Sequence, residues 1–238
     1  DTYRRKQGRA VGIDEAEKVK VAGKSLGLDD LAPFDPAKRV IEYISAEEGS
    51  SPLVNMTLTQ FADTTASEAP APGGGSISAY AGALGAALAT MVTNLSAHKR
   101  GWDDRWEEFS AHAEQGLEFQ NQLLRLVDAD TQAFDAIMSA YGMPKATEAQ
   151  QSQRHQAIQD ATRHAIDIPM QVAQLAHEGL ALAAVMANDG NPNSVTDAGV
   201  GAMFLRPAVL GAFLNAPLHC GTLPAANYVS HLVSPFPP

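Results

Sequence analysis

Apolar residues at helical spacing constrain the fold of this chain more than any other feature of its sequence. Between residues 76 and 98 apolar residues, most of them large, recur at steps of four and three, at Ile77, Ala81, Leu84, Leu88, Met91 and Leu95. This spacing places them on one face of an α-helix. A second stripe on the same segment contains only small residues, at Ala79, Ala83, Ala86, Thr90, Thr93 and Ala97. Small side chains permit close backbone approach, so we expect a partner helix there.

The rest of the chain up to residue 215 repeats this pattern. Helices are predicted over residues 57–66, 104–141 and from 147 onward, with Pro169 as a kink and Gly179 as a further break. A turn over residues 190–193 precedes a last helix, which Asn193 or Ser194 caps and which ends at Asn215. Because the connections are short, the pattern predicts an all-α, up-and-down bundle of five or six helices.

The two ends of the chain differ from this pattern. Residues 13–28 predict a short helix that Gly27 ends, and residues 39–44 predict a single strand. A lone strand needs a sheet, so residues 1–45 are interpreted as a short α/β remnant of an upstream domain and residues 46–56 as a linker to the helical domain, 57–215. The proline-rich segment 216–238 is interpreted as an atypical tail, with a sequence that a frameshift would produce. The start at Asp1, without a methionine, favours a fragment.

Composition excludes several classes of partner. The formal net charge is −10, with 17 basic and 27 acidic residues, which argues against binding to nucleic acid. The single cysteine, Cys220, cannot form an intrachain disulfide, and the N-terminus has no secretion signal. No uninterrupted apolar run of 18 residues is present, so no membrane segment is predicted. We expect a cytoplasmic protein with a small-molecule ligand.

Asp130 is the sharpest candidate for a catalytic group. It interrupts an apolar seam that continues through Leu123, Val127, Phe134, Ile137 and Tyr141. A buried carboxylate usually needs a partner or has a raised pKa, and such a group is suited to general acid–base chemistry. The alternative is a structural carboxylate that caps a loop or pairs with Arg163 or Lys99. Its neighbours Asp128 and Asp135 fall off the seam and are predicted to be solvated.

Two further polar segments suggest ligand binding. Gly73, Gly74, Gly75 and Ser76 immediately precede a predicted helix, where glycines let backbone N–H groups approach an anion. A flexible interhelical loop is the alternative, and the residues that would complete a nucleotide-binding P-loop are absent. The second segment, residues 190–197, gathers amide, hydroxyl and carboxylate groups at a helix start, including Asn193 and Asp197. Simple helix capping is the alternative there.

The remaining charged and metal-binding candidates carry less information. Lys99 follows the small-residue helix, where it complements the helix dipole and is also placed to bind an anionic ligand. The seven histidines show no metal-ligand spacing, so no metal is predicted.

Three segments resemble the cyclodeaminase family in order and spacing. They are Ala69-Pro-Ala-Pro-Gly-Gly-Gly-Ser-Ile-Ser78, Leu126-Val-Asp-Ala-Asp-Thr-Gln-Ala-Phe134 and Gly190-Asn-Pro-Asn-Ser-Val-Thr-Asp-Ala-Gly-Val200. Residues 27–43 resemble the closing segment of the formimidoyltransferase domain that precedes the cyclodeaminase in bifunctional members. The resemblance implies an all-helical dimeric domain within a larger ring-shaped oligomer. Transferase activity is not expected, because the resemblance covers only the end of that domain.

The resemblance also implies a reaction, the closure of 5-formimidoyl-tetrahydrofolate to 5,10-methenyl-tetrahydrofolate with release of ammonia during histidine breakdown. The family's catalytic aspartate matches Asp130. The glycine loop and Lys99 are assigned to the pteroyl-glutamate portion, with or without a polyglutamate chain, and Asn193 and Asp197 to the pterin. No permanently bound cofactor is implied. Pro207 and the residues after Asn215 depart from the family pattern.

Two alternative functions remain open at this point. A methenyltetrahydrofolate cyclohydrolase of the same fold would use the same carboxylate to activate water. An inactive fragment would serve only for oligomerisation, with its small-residue stripe packed against copies of itself.

Overall fold

A computed structural model describes residues 15–28, 34–40 and 52–220, and within these ranges it contains helices and turns but no strand. The α-helices are α1 (Glu15–Ser25), α2 (Pro36–Arg39), α3 (Leu58–Thr65), α4 (Gly74–Ala97), α5 (Trp106–Gly142), α6 (Glu148–Asp189) and α7 (Val195–Cys220). Short 3₁₀ turns, Asp103–Arg105 and Pro192–Ser194, precede α5 and α7. The all-α prediction is confirmed.

The four long helices α4 to α7 form the bundle, and α4 packs against each of the other three. The small-residue stripe of α4 is its buried face, with Ala79 and Ala86 fully buried. A Cβ atom built at Gly85 would lie 2.6 Å from Leu205 Cγ of α7, so only a glycine allows this helix contact. Thr90 of the small-residue stripe faces α5 instead, because a Cβ atom built at Gly116 of α5 would overlap its side chain. The expected partner helix of the stripe is therefore α5 of the same chain, with α7 packed beside it at Gly85, and self-association through the small-residue stripe is wrong.

The stripe of larger residues on α4 is partly exposed instead. Its exposed members are Ile77, Leu84, Met91 and Leu95. On α7 the exposed apolar residues include Val200, Leu210, Met203 at 72% and Leu214 at 77%. A Cβ atom built at Gly201 would lie 3.3 Å from Leu88 Cβ, which places the stripes of α4 and α7 beside each other. Together they form one apolar surface, which we call the α4–α7 surface.

Two helical segments in the described ranges are long and apolar enough to span a membrane by length and composition alone. They are Gly74–Ala97 and Pro192–Ala216. The first is the central core helix of the bundle, and buried helices of this kind meet the same criterion. The second is only 28% buried, because it contributes much of the α4–α7 surface.

The predicted break at Gly179 does not occur, and the last helix extends beyond its predicted end, whereas the kink at Pro169 stays a prediction. Helix α6 continues through Pro169 and Gly179 over 42 residues. A Cβ atom at Gly179 would lie 2.8 Å from Leu205 Cδ2, so this glycine serves close packing against α7 and is not a helix end. Helix α7 likewise continues through Pro207, which lies on the exposed side, and ends at Cys220 rather than at Asn215.

The N-terminal predictions are met in part. Helix α1 lies within the predicted 13–28 range, and Gly27 follows it with φ of 67°, a conformation typical of a glycine after a helix. Arg39, the predicted first residue of the strand, is instead the last residue of α2, so the strand prediction is wrong there. Residues 41–44 lie outside the described residues.

The cap before α7 also differs from the prediction. The side chain of Asn191 accepts a hydrogen bond from the backbone N–H of Asn193 at 3.2 Å, so Asn191 caps the 3₁₀ turn that leads into the helix. Ser194 is buried within that turn.

Asp128 is buried, contrary to the prediction that it is solvated. Only 4% of it is exposed, and its carboxylate accepts hydrogen bonds from the backbone N–H groups of Leu53 at 2.8 Å and Val54 at 3.4 Å. The prediction considered α5 alone, whereas the segment around Leu53 folds over this side of the helix. The linker predicted at residues 46–56 is thus held to the bundle at its end by a buried carboxylate.

Replacing Asp128 by Ala is expected to lower the free energy of unfolding by about 1–3 kcal/mol, because the buried N–H of Leu53 and the partly buried N–H of Val54 would lose their acceptor. Thermal or urea unfolding followed by circular dichroism measures this effect. Asp135, which is exposed on the same helix, provides the matched control Asp135→Ala. Equal unfolding midpoints for the two variants would contradict the role assigned to Asp128.

Candidate active site

A cavity of about 390 Å³ opens at the N-terminal end of α4. It is lined by the loop before α4, by one side of α5 and by a single residue of α7: Pro70, Ala71, Gly73, Gly74, Gly75, Asp130, Thr131, Phe134 and Asn215. Two of the three polar segments singled out in the sequence, the glycine loop and the segment around Asp130, therefore meet at one place.

Asp130 caps the N-terminus of α4 from another helix. The N-cap residue Gly73 has no side chain that could bind the first free N–H groups. Asp130 Oδ2 takes this role by accepting a hydrogen bond from Ser76 N at 3.0 Å. Ser76 Oγ lies 3.2 Å from the same Oδ2 and 2.9 Å from Val127 O, so its proton is directed at two acceptors. Asp130 therefore has the structural capping role that was the alternative in the sequence analysis, and it also borders the cavity.

The position of the carboxylate explains one of the three glycines. A Cβ atom built at Gly75 would overlap the Asp130 carboxylate, whereas one at Gly73 would meet nothing within 4 Å. At Gly74 the nearest atom would be Asn215 Nδ2, at 3.3 Å. The chain therefore needs glycine at residue 75 because a carboxylate fills the space beside it.

The Asp130 carboxylate lies at the N-terminal end of α4 and accepts from both donors of Ser76. The N-terminus of a helix carries a partial positive charge, and hydrogen-bond donors stabilise the ionised form of a carboxylate. Asp130 is only half-buried, so it has access to the cavity as well as to Ser76. An ionised carboxylate at the edge of a cavity can accept a proton from a bound ligand.

Lys99, Asn193 and Asp197 lie at the opposite end of the bundle. The backbone N–H of Asn191 donates to Ser96 Oγ at 2.8 Å, which places the turn before α7 beside the C-terminal end of α4. With a rise of 1.5 Å per residue, the two ends of α4 are about 35 Å apart. The structure thus brings Gly73, Gly74, Gly75 and Ser76 to Asp130 but not these three residues of the same chain. Their assignment to the substrate stays a prediction.

The far end of the bundle has its own set of charge contacts. Lys99 Nζ lies 3.9 Å from the centre of the Trp102 ring. Arg105 forms a salt bridge with Glu108 at 2.7 Å, and the hydrogen bond from Arg105 holds the pKa of the Glu108 carboxyl below its usual range. These contacts give Lys99 and Arg105 partners within the chain.

The other proposed partner of Asp130, Arg163, forms a salt bridge with Asp160 at 3.0 Å on the exposed side of α6. Within residues 15–28, 34–40 and 52–220, no group of three His, Cys, Asp or Glu side chains is arranged to hold a metal ion.

Asn215 is the site residue that the sequence analysis missed. The sequence pattern marks it only as the end of the last helix and of the family likeness, yet it lines the cavity from α7. Steps of four and three along the buried seam of α7 pass through Gly201, Leu205, Ala208 and Ala212 and then reach Asn215. A polar residue on an apolar seam is the same signal that identified Asp130.

These features define an all-helical protein with a helix-capping carboxylate at the edge of a cavity of small-molecule size. The family model described as formiminotransferase-cyclodeaminase matches residues 57–234, and the model of the formiminotransferase domain matches residues 1–46. The chain belongs to the formiminotransferase-cyclodeaminase family. The first match extends past Asn215 into the segment predicted as an atypical tail.

Individual relatives agree with this assignment. The chain is 34% identical over 204 residues to the formimidoyltransferase-cyclodeaminase of Rattus norvegicus, covering 85% of this chain but only 38% of the rat protein. It is 39% identical over 170 residues to the methenyltetrahydrofolate cyclohydrolase of Methylorubrum extorquens, covering 68% of this chain and 80% of that relative. The crystal structure of formiminotetrahydrofolate cyclodeaminase from Thermotoga maritima superposes with a TM-score of 0.66 at 26% identity, covering 76% of this chain and 86% of that one.

Proposed function

We propose that this chain is a formimidoyltetrahydrofolate cyclodeaminase that converts 5-formimidoyl-tetrahydrofolate to 5,10-methenyl-tetrahydrofolate and ammonia. The observation that carries the proposal is the Asp130 carboxylate, held through Oδ2 by Ser76 at the edge of a cavity. The names of the rat relative and of the Thermotoga maritima structure support the same reaction. We place the activity in the cytoplasm, in histidine breakdown.

The reaction needs one proton to move between two nitrogens of the substrate. N10 attacks the carbon of the protonated formimidoyl group on N5, which forms a tetrahedral adduct with an N10–C bond. Asp130 removes the proton from N10 and delivers it to the formimidoyl nitrogen. The C–N bond to that nitrogen then breaks, ammonia leaves, and the methenyl bridge carries the positive charge. A single carboxylate can serve as base and then as acid in this sequence.

The residues around Asp130 divide into two roles under this proposal. Gly73 and Gly74 line the cavity and leave the N-terminal end of α4 open to the folate. Ser76 is fully buried and holds the carboxylate, so it acts on the reaction through Asp130 and not by touching the substrate. No permanently bound cofactor takes part.

The cyclohydrolase reaction is the second candidate, and the Methylorubrum extorquens relative is the observation that favours it. In that reaction Asp130 would activate water for attack on the methenyl carbon. The match of residues 1–46 to the formiminotransferase domain favours the cyclodeaminase, since that domain accompanies it in the rat relative's name.

Purified protein supplied separately with the two folates distinguishes the candidates. We expect ammonia and the methenyl product from 5-formimidoyl-tetrahydrofolate, in equal amounts. Hydrolysis of methenyl-tetrahydrofolate without ammonia release from the formimidoyl substrate would assign the cyclohydrolase activity. The absence of both reactions would indicate an inactive oligomerisation module.

We also propose that a second copy of this chain covers the α4–α7 surface. The exposed stripe of α4 has steps of four and three, and so has that of α7, through Val200, Met203, Pro207, Leu210 and Leu214. This is the spacing of helices that pack side by side. An apolar surface of this extent is typical of an interface, and a two-fold axis would pair the surface with itself.

The variant Leu84→Glu/Leu210→Glu places charges in this surface and is expected to be monomeric, whereas the unmodified protein forms a dimer or a larger oligomer. Light scattering after size exclusion measures the mass. Leu26→Glu, at an exposed leucine outside the bundle, is the control. A monomeric unmodified protein, or an oligomeric double variant, would contradict the interface.

A further inference from the structure

We propose that Asn215 binds the substrate directly, with its side-chain carbonyl accepting a hydrogen bond from the N–H of the formimidoyl group. This inference rests on the cyclodeaminase function proposed above and assigns a residue that selects its substrate. Asn215 and Asp130 line the same cavity from different helices, α7 and α5.

A hydrogen bond within α7 orients the Asn215 amide. Its Nδ2 donates to Gly211 O at 2.7 Å, one helical turn earlier. The amide group is planar, so this bond turns the carbonyl oxygen Oδ1 away from the carbonyl of Gly211. Within the described part of the chain, no hydrogen bond to Oδ1 is formed. Asn215 is partly buried, and an acceptor in such a place is normally satisfied by water or by a ligand.

The amide also lies close to the helix end that the proposed substrate would approach. A Cβ atom built at Gly74 would be 3.3 Å from Asn215 Nδ2 and 3.4 Å from Oδ1. Residue 75, next along the chain, contacts the Asp130 carboxylate. Asn215 and Asp130 therefore flank the first turn of α4, and a ligand in the cavity can touch both.

The chemistry of the substrate matches two acceptors. In 5-formimidoyl-tetrahydrofolate both N10 and the formimidoyl nitrogen carry hydrogen. In the methenyl product N5 and N10 are fully substituted, so neither can donate. With Asp130 accepting the N10 proton, Asn215 Oδ1 is left to bind the formimidoyl N–H. This contact would hold the departing nitrogen in place and would be lost when ammonia leaves, which favours release of the product.

Replacing Asn215 by Leu tests this assignment, because Leu has a similar size and no acceptor. Affinities are measured by calorimetry in an Asp130→Asn background, which prevents turnover, for 5-formimidoyl-tetrahydrofolate and for 5-formyl-tetrahydrofolate. The second folate has an oxygen in place of the formimidoyl N–H. We expect Asn215→Leu to weaken the affinity for 5-formimidoyl-tetrahydrofolate about 10-fold or more, which corresponds to one lost hydrogen bond. The affinity for 5-formyl-tetrahydrofolate should be unchanged.

The ratio of the two affinities separates a binding role from a structural one, since a general defect in folding lowers both together. Gln174→Leu, which removes an exposed amide from α6, is the matched control and should leave the ratio unchanged. An unchanged ratio in Asn215→Leu, or a parallel loss of both affinities, would overturn the proposal. Ammonia release by the unmodified protein reports on the cyclodeaminase function separately, so the two proposals can fail independently.

Discussion

Replacing Asp130 by Asn is expected to lower the rate of ammonia release by about 10²- to 10⁴-fold, the usual contribution of a general acid–base group. The amide cannot shuttle the proton from N10 to the departing nitrogen. Its oxygen can still accept from Ser76 N, so the N-terminus of α4 stays capped and the fold is retained. The measurement is kcat at saturating 5-formimidoyl-tetrahydrofolate, with circular dichroism to verify helix content.

Asp135→Asn is the control for this experiment, because Asp135 lies on the same helix and is exposed. It should have the activity of the unmodified protein. Asp128 is unsuitable as a control, since its buried carboxylate holds the segment at Leu53. If Asp130→Asn turned over at a rate close to that of the control, Asp130 would have no part in proton transfer.

Gly75→Ala is expected to lower kcat by about 100-fold or more, because displacing a catalytic group by an ångström commonly has an effect of this size. The new methyl group would overlap the Asp130 carboxylate and force it out of its position between Ser76 and the cavity. The same substitution at Gly73, where a Cβ atom meets nothing within 4 Å, should retain most of kcat because the carboxylate stays in place, and any effect on the folate would change KM.

The comparison of Gly75→Ala with Gly73→Ala separates two interpretations of the glycine loop. If the loop were only a flexible connection, both substitutions would have similar small effects on kcat. Equal losses in both variants would instead assign the glycines to general loop geometry and not to the carboxylate. Thermal unfolding of the two proteins shows whether either loss reflects instability.

Local periodicity in the sequence predicted the long helices and the position of Asp130 on an inward-facing seam, and the structure places Asp130 beside the cavity. Apolar residues at steps of four and three define a helical face, and a carboxylate on such a face stands out whatever packs against it. The same reasoning applies to Asn215, which lies on the buried seam of α7.

The periodicity of one helix does not predict which segment of the chain packs against each of its faces. Asp128 appears solvated on an isolated α5 and is buried only because the segment at Leu53 crosses it. The larger residues of α4 resemble a core stripe, yet α7 packs at Gly82 and Gly85, where the missing Cβ atoms permit a closer approach. Lys99 and Asn193 were grouped with the glycine loop by their chemistry, which carries no information on distance along a helix.

The most direct test of the active site is a crystal structure of the Asp130→Asn variant with 5-formimidoyl-tetrahydrofolate bound. The account predicts density for the folate in the cavity at the N-terminus of α4, with N10 beside residue 130 and the formimidoyl nitrogen beside Asn215. Folate density at the opposite end of the bundle, beside Lys99, Asn193 and Asp197, with the α4 cavity empty, would contradict it.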